Sequence, residues 1–311
     1  MHRNKIKMYC SFFFLVFPLM AFATLETECF ERLSQYPGSF DQKKLVEICK
    51  KMELLPDCVS QSSSKPIFHF DKIGKDEKNP YTTRILVFSQ FHGDEFPAGS
   101  VARHWLERML KISTRNTWRI VPEVNPDGIL AKTRTNGRGV DLNRNLPTKN
   151  WSSESLQRWT AVEKKNPRRF PGEKENSESE SRCVLKHIDD FKPQIIVSLH
   201  TPYGLLDFDG PKEIIPKNGK MLDIPWKSLG HYPGSLGRYM WAERNVPVLT
   251  IELKGNELYQ TEKYLNLLQD TIGDISIRLI THQNKQSMIS SARNVETKET
   301  THVKRIPTNS P

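Results

Sequence analysis

Beyond residue 23 this 311-residue chain lacks any apolar run of the roughly 20 residues a membrane-spanning helix needs. Cysteine is scarce: there are five, and no two stand at the C-x2–4-C spacing of a zinc finger. The net charge is +10, yet there is no basic stripe interleaved with aromatics and no nucleic-acid module signature, which argues against a nucleic-acid partner. No internal repeat is apparent, which excludes a repeat architecture.

The one long apolar stretch is at the start. Residues 1–23 combine a basic opening (Arg3, Lys5, Lys7), a mainly apolar run from Met8 to Met20 and the small-x-small ending Ala21-Phe22-Ala23. This is the pattern of a cleaved secretory signal peptide. A membrane anchor is the alternative, but the run is short for one and Pro18 interrupts it. The mature protein is expected to be secreted or periplasmic, with no stable membrane insertion. Losing the signal removes three basic residues and no acidic ones, leaving 43 against 36, or +7. A basic exported protein suits an anionic surface such as cell wall, although charge of this size equally serves solubility alone. Cys10 leaves with the signal. Cys29, Cys49, Cys58 and Cys183 remain, an even number for an oxidising compartment. Their pairing is open, but three of them lie close together, so one bridge is expected within residues 24–60.

Residues 24–65 read as a small helical leader and linker. Helix-like apolar spacing at 26–34 and 40–52 is separated by Pro37-Gly38-Ser39, and 60–64 is the linker. From 66 to 283 short apolar runs alternate with amphipathic ones. Strands are predicted at 85–89, 118–124, 195–199 and 248–251, and helices at 97–110, 178–191, 234–243 and 262–283. A loop-rich section spans 125–172, and a disordered polar tail is expected over 284–311. Alternating strands and helices predict an α/β fold with a mixed, largely parallel sheet flanked by helices. In such sheets, sites form beyond the carboxyl ends of strands.

Chemistry-bearing residues fall at those ends. His92 and Glu95 follow the run Ile85-Leu86-Val87-Phe88, His200 ends Ile195-Ile196-Val197-Ser198-Leu199, and Glu252 ends Val248-Leu249-Thr250-Ile251. Two His and one Glu are a ligand set for one catalytic zinc, which keeps a position for water. A nearby free carboxylate, Glu252, is then a candidate base. His92 and Glu95 alone would be weak, since His and Glu three apart occur often by chance.

The surrounding sequence adds Asn125-Pro126-Asp127-Gly128, Thr133-Arg134-Thr135-Asn136, Asp141-Leu142-Asn143-Arg144-Asn145, Ser198-Leu199-His200 and Thr250-Ile251-Glu252-Leu253. In this order the motifs resemble the zinc carboxypeptidase (funnelin) family, over residues 85–253. The resemblance implies that His92, Glu95 and His200 hold zinc. It implies that Glu252 is the general base passing a proton to the leaving amine, and that Arg134 supports the oxyanion. It further implies that Asn143 and Arg144 grip a terminal carboxylate of the substrate. The residue types suit these roles: a guanidinium binds a carboxylate bidentately, and a fixed cation stabilises an oxyanion. Asp141 is expected to orient the loop or a histidine, and Arg138 to be solvated.

Departures from the family pattern are also present. Gly230 occupies the position of the usual substrate-capping tyrosine, and nearby Tyr232 either replaces it or shapes the turn. Asp207 and Asp209 either meet a cationic group of the substrate or cap a loop. The His-Gly-Asp-Glu and Thr-Arg-x-Asn-x-Arg-Gly-Val-Asp-Leu-Asn-Arg-Asn stretches look like the bacterial murein peptide amidase branch. That resemblance implies hydrolysis of the γ-D-glutamyl–diaminopimelate amide of cell-wall peptides. Alternatives are an exported carboxypeptidase trimming L-amino acids from peptides, the related aminoacylase or desuccinylase branch, and a catalytically inactive wall-binding module.

Overall fold

The runs at 85–88 and 195–199 are apolar at nearly every position, a pattern that suits strands covered on both faces rather than one. A computed structural model shows this arrangement; it describes residues 24–76, 78–79, 81–215, 220–221, 224–255 and 261–303. The expected signal segment, with Cys10, lies outside the described residues.

In chain order the elements are α1 (Leu25–Ser34), α2 (Gln42–Cys49), β1 (Glu53–Val59), β2 (Pro66–Lys72), β3 (Arg84–Ser89), α3 (Phe96–Lys111), β4 (Thr117–Val121) and α4 (Pro126–Ala131). There follow α5 (Trp151–Ala161), α6 (Ser179–Phe191), β5 (Ile195–His200), β6 (Tyr203–Asp209), the short pair β7 (Lys220–Met221) and β8 (Ile224–Pro225), β9 (Val248–Lys254) and α7 (Glu262–Val303). The main sheet has seven strands in the order β1-β2-β4-β3-β5-β9-β6. Its four central strands are parallel, while β1, β2 and β6 join antiparallel. The sheet is therefore mixed, with a parallel centre and antiparallel margins.

Alternate residues of β3 serve opposite faces. Ile85 and Val87 pack with α3, α7 and the first two helices, whereas Leu86 and Phe88 pack with α6. From β3 the chain crosses through α3 to β4 on one side, and β5 then lies on the other side. The carboxyl ends of β3 and β5 thus flank a topological switch point, where open α/β sheets form their crevice.

Three expectations are corrected. Residues 24–65 hold helices where helical spacing was expected, α1 and α2, but these join the main core and run on into a strand instead of standing as a leader of their own. Cys29, Leu33, Tyr36, Leu45 and Ile48 belong to the core beside α3, and residues 53–59 form an outer strand of the main sheet. Buried Glu123 fastens this segment: its carboxylate accepts from Arg32 Nε at 2.7 Å and from Tyr36 Oη at 2.6 Å. The loop-rich stretch 125–172 contains α4 and α5. The final helix does not stop near 283 but continues to Val303, so residues 284–303 are helical instead of a disordered tail. The physical reason is the absence of glycine or proline between Gly273 and Pro307, the residues that most strongly break a helix. Residues 304–311 lie outside the described part.

The disulfides are Cys29–Cys49, joining α1 to α2, and Cys58–Cys183, joining β1 to α6. The first lies within the stretch where a bridge was expected. Among the described residues no helix is long and apolar enough to cross a membrane.

Candidate functional site

The chain leaves β3 through Gln90, whose φ of 57° is left-handed, a costly conformation for a residue with a Cβ. The Gln90 side chain donates to the Glu95 carbonyl at 2.7 Å, closing a tight loop around residues 91–94. Two motif residues brace this loop. Asn125 caps α4 by accepting from Gly128 N at 2.9 Å and donates to the Phe91 carbonyl at 3.1 Å. Gly93 presses on Gly128 so closely that a Cβ there would overlap the Gly128 carbonyl. Asp127, in the same motif, accepts from Ser60 Oγ and from the Ser62 and Ser63 amides, which pins the segment expected to be a linker.

The loop presents His92 and Glu95 to His200, the last residue of β5. All three are buried, and each offers a ligand atom within 4.8 Å of the others. His92 Nδ1 is 2.8 Å from Glu95 Oε1, His200 Nδ1 is 3.0 Å from Glu95 Oε2, and the two Nδ1 atoms are 3.1 Å apart. The outer nitrogens are already held: His92 Nε2 by Asp141 Oδ1 at 3.2 Å and His200 Nε2 by Ser198 Oγ at 2.9 Å. If each Nε2 donates its proton outward, both Nδ1 lone pairs face inward beside a carboxylate. Crowded acceptors of this kind fit a zinc ion, with the outer partners fixing the tautomers.

Asp141 ties this centre to the anion-binding side. Its carboxylate is fully buried; it faces His92, takes Arg134 Nε at 3.0 Å and accepts from the Asn143 amide at 3.1 Å. Burial pushes its pKa up, but Arg134 and His92 outweigh that and hold it well below the usual carboxylate range. Arg134 thus lies along the metal centre, with Nη1 3.6 Å from Glu95 Oε1. Asn143 Oδ1 accepts from the Leu236 amide at 2.8 Å. Arg144 Nη1 donates to the Asn143 carbonyl at 2.7 Å, while its buried Nε has no partner among the described residues.

Glu252 lies two residues before the end of β9, as the register partner of His200. It is 6 % exposed, and its Oε2 has no hydrogen-bond partner among the described residues. Burial raises its pKa, and the neighbouring Glu95 charge adds to this against the opposing pull of His200. A carboxylate of this kind takes up a proton more readily than a solvated one.

His92, Glu95, Arg134, Asn143, Arg144, His200 and Glu252 line one cleft of about 710 Å³, together with Tyr232, Asp207 and Asp209. Two guanidiniums lie over the Tyr232 ring, Arg144 at 4.4 Å and Arg158 at 4.5 Å from its centre, a favourable cation–π geometry. The adjoining Gly234, at φ 73°, packs on the Arg144 carbonyl, where a Cβ would not fit. Arg138 stays half exposed, as expected. Sequence reasoning missed Asp94, Arg168 and Arg169, which also line the cleft. Arg168 Nη2 bonds Asp94 Oδ2 at 2.7 Å. In sequence, Asn166-Pro167-Arg168-Arg169 looks like any solvated basic loop, and no spacing links it to Asp94.

Residues 59–206 match the zinc carboxypeptidase family. Murein peptide amidase A of Escherichia coli strain K12 is 33 % identical over 187 residues, which are 58 % of this chain and 75 % of that protein. Murein peptide amidase A of Vibrio campbellii is 31 % identical over 55 % of this chain and 69 % of that protein. The fold is similar to the crystal structure of carboxypeptidase A from Helicoverpa armigera, with a TM-score of 0.54, 15 % identity and coverage of 84 % of this chain and 80 % of that one. The family match ends before Glu252, which the sheet returns to the side of His200. The chain belongs to the zinc carboxypeptidase family and is a zinc-dependent hydrolytic metallopeptidase.

Proposed function

We propose that this enzyme hydrolyses an amide bond near the C-terminus of cell-wall peptides, the γ-D-glutamyl–diaminopimelate bond, after export to the secreted or periplasmic space. The observation that carries the reading is the free Oε2 of Glu252, in one cleft with three converging ligand atoms and with Asn143 and Arg144. The names of the two bacterial relatives support the choice of substrate. Two disulfides and the pattern of residues 1–23 support export.

His92, Glu95 and His200 would hold the zinc. When bound, zinc supplies Lewis acidity, which lowers the pKa of a water to about 7 and polarises a carbonyl. Asn143 and Arg144 grip the terminal carboxylate of the peptide and so set which amide lies beside Glu252. Glu252, desolvated and free of partners on Oε2, takes the proton from the attacking water and returns it to the departing amine. Arg134, fixed by Asp141, places a cation where the carbonyl oxygen becomes negative. Tyr232 stacks on Arg144 and holds the guanidinium in its binding pose.

The test is mass spectrometry of muramyl-L-Ala-γ-D-Glu-diaminopimelate incubated with the zinc-loaded protein. Release of diaminopimelate by wild type and not by Glu252→Gln supports the reading. An intact peptide, with hydrolysis of ordinary acyl-dipeptides under the same conditions, overturns the choice of bond.

A further inference from the structure

Beside the metal centre, one wall of the cleft carries an acidic group that the mechanism above does not use. Asp207 lies on β6 opposite Thr250, and two positions away Leu205 is opposite Glu252. Register partners share a sheet face, so Asp207 is a diagonal neighbour of the catalytic base, about 7–8 Å away. It is 4 % exposed, lines the cleft, and its Oδ1 is buried with no hydrogen-bond partner among the described residues. The Leu229 amide donates to its carboxylate.

The neighbouring charges leave this group available. Asp209 Oδ1 is 2.6 Å from His231 Nε2, so that carboxylate already has a partner. Lys212, whose charge acts on Asp207, donates its Nζ to the Phe208 carbonyl at 2.7 Å. Burial and then the Asp209 charge raise the Asp207 pKa to about 6. A buried carboxylate with a free oxygen is a strong acceptor for a cation that enters the cleft.

Its place in the cleft indicates which part of the substrate it meets. Gly237 is packed on Asp209, and the preceding Leu236 amide donates to Asn143. The acidic wall therefore adjoins the residues that grip the terminal carboxylate. With the terminal carboxylate held by Asn143 and Arg144, the released residue would lie beside this wall.

We propose that Asp207 selects a C-terminal residue whose side chain bears a free ammonium group, its Oδ1 accepting the N–H; the distal amine of diaminopimelate is that group. The inference rests on the amide-hydrolase reading, which puts the terminal residue on the Asn143 side.

Two substrate pairs test it with wild type, Asp207→Asn and Asp207→Leu. The first is L-Ala-γ-D-Glu-diaminopimelate against the same peptide ending in 2-aminopimelate, which lacks the distal amine. The second is hippuryl-lysine against hippuryl-norleucine. Wild type should favour the amine-bearing member by about 10- to 100-fold in kcat/KM, the worth of a hydrogen bond to a charged group. Both variants should bring that ratio close to one while keeping the amine-free substrate within about 3-fold of wild type. Equal losses on both members, or a wild-type ratio near one, overturn the proposal. If the γ-D-glutamyl pair is not cleaved, the bond assignment fails and the hippuryl ratio decides the role of Asp207. Where turnover is absent from both pairs, calorimetric affinities for the zinc-loaded Glu252→Gln protein give the ratio, and a value near one again overturns the proposal.

Discussion

His200 and Glu252 face each other across the β5–β9 pair as register partners, although 52 residues separate them in the chain. Partners in adjacent strands point to the same face, so backbone pairing alone sets a metal-ligand histidine beside a carboxylate. Neither residue depends on a flexible loop for its position, and this suits a base that must meet a water at a fixed distance.

Replacing Glu252 by Gln keeps the shape and removes the proton acceptor. The expected loss in kcat is about 100- to 10,000-fold, the usual span for a positioned acid–base group. Zinc content should be unchanged, because Glu252 lies outside the cluster of His92, Glu95 and His200. Steady-state kinetics beside elemental analysis of the dialysed protein checks both halves. Loss of zinc would turn Glu252 into a ligand instead of a base.

Asp141 calls for a different readout. It holds His92 Nε2, Arg134 Nε and the Asn143 amide at once. Asp141→Asn should weaken zinc binding by about 10- to 100-fold, the common effect of removing a partner behind a ligand histidine. Competition with a chromophoric chelator measures this directly. Unchanged affinity would show that the loop alone fixes the His92 ring.

Much of this was legible because ligands at strand ends leave a local trace. The runs before His92 and His200 mark central strands, and their carboxyl ends are where such sheets form sites. Glu252 was placed correctly beside a strand end, although β9 runs two residues further, to Lys254. What stayed hidden depends on contacts distant in sequence. Residues 53–59 (Glu-Leu-Leu-Pro-Asp-Cys-Val) contain a proline and an aspartate and lack strand alternation, yet they pair with β2 at the sheet margin, where proline is tolerated. Likewise, nothing in the order of residues links Cys58 to Cys183 or Asp94 to Arg168. That Asp207 Oδ1 is left without a partner among the described residues could not be read at all, since it depends on which neighbours are already engaged.

The two disulfides should differ in worth. Cys29–Cys49 spans 20 residues and Cys58–Cys183 spans 125. By chain entropy the longer loop constrains the unfolded chain more, about 4.7 kcal/mol for a loop near 100 residues against about 3 for one near 15. Cys58→Ala/Cys183→Ala should therefore lower the urea midpoint further than Cys29→Ala/Cys49→Ala. The reverse order would show that the α1–α2 bridge acts through native packing of the core instead of through the unfolded chain.

Acid sensitivity should arise partly between β2 and α6, from two histidines that do not line the cleft. His69 and His187 pack with ring centres 5.0 Å apart, and both are buried. Burial and then the Arg119 charge lower the His69 pKa to about 4, against the opposing charges of Asp71 and Asp190. Burial, followed by His69 and Arg119, takes His187 to about 2. In the unfolded chain both titrate near 6.5. Between that value and the folded ones the unfolded chain binds protons that the folded chain does not, so stability rises with pH across the window. It is complete above about 6.5 and drains away as the pH falls toward 4, at a cost from His69 of about 3 kcal/mol. Urea unfolding at about pH 7.5 and about pH 5 should show wild type losing at least about 2 kcal/mol more than the His69→Phe/His187→Phe double variant. Carboxylate contributions are common to both proteins and cancel in that difference. Equal losses would mean that the folded protein protonates these rings as easily as the unfolded chain does, which requires water or a counter-charge to reach the His69–His187 contact.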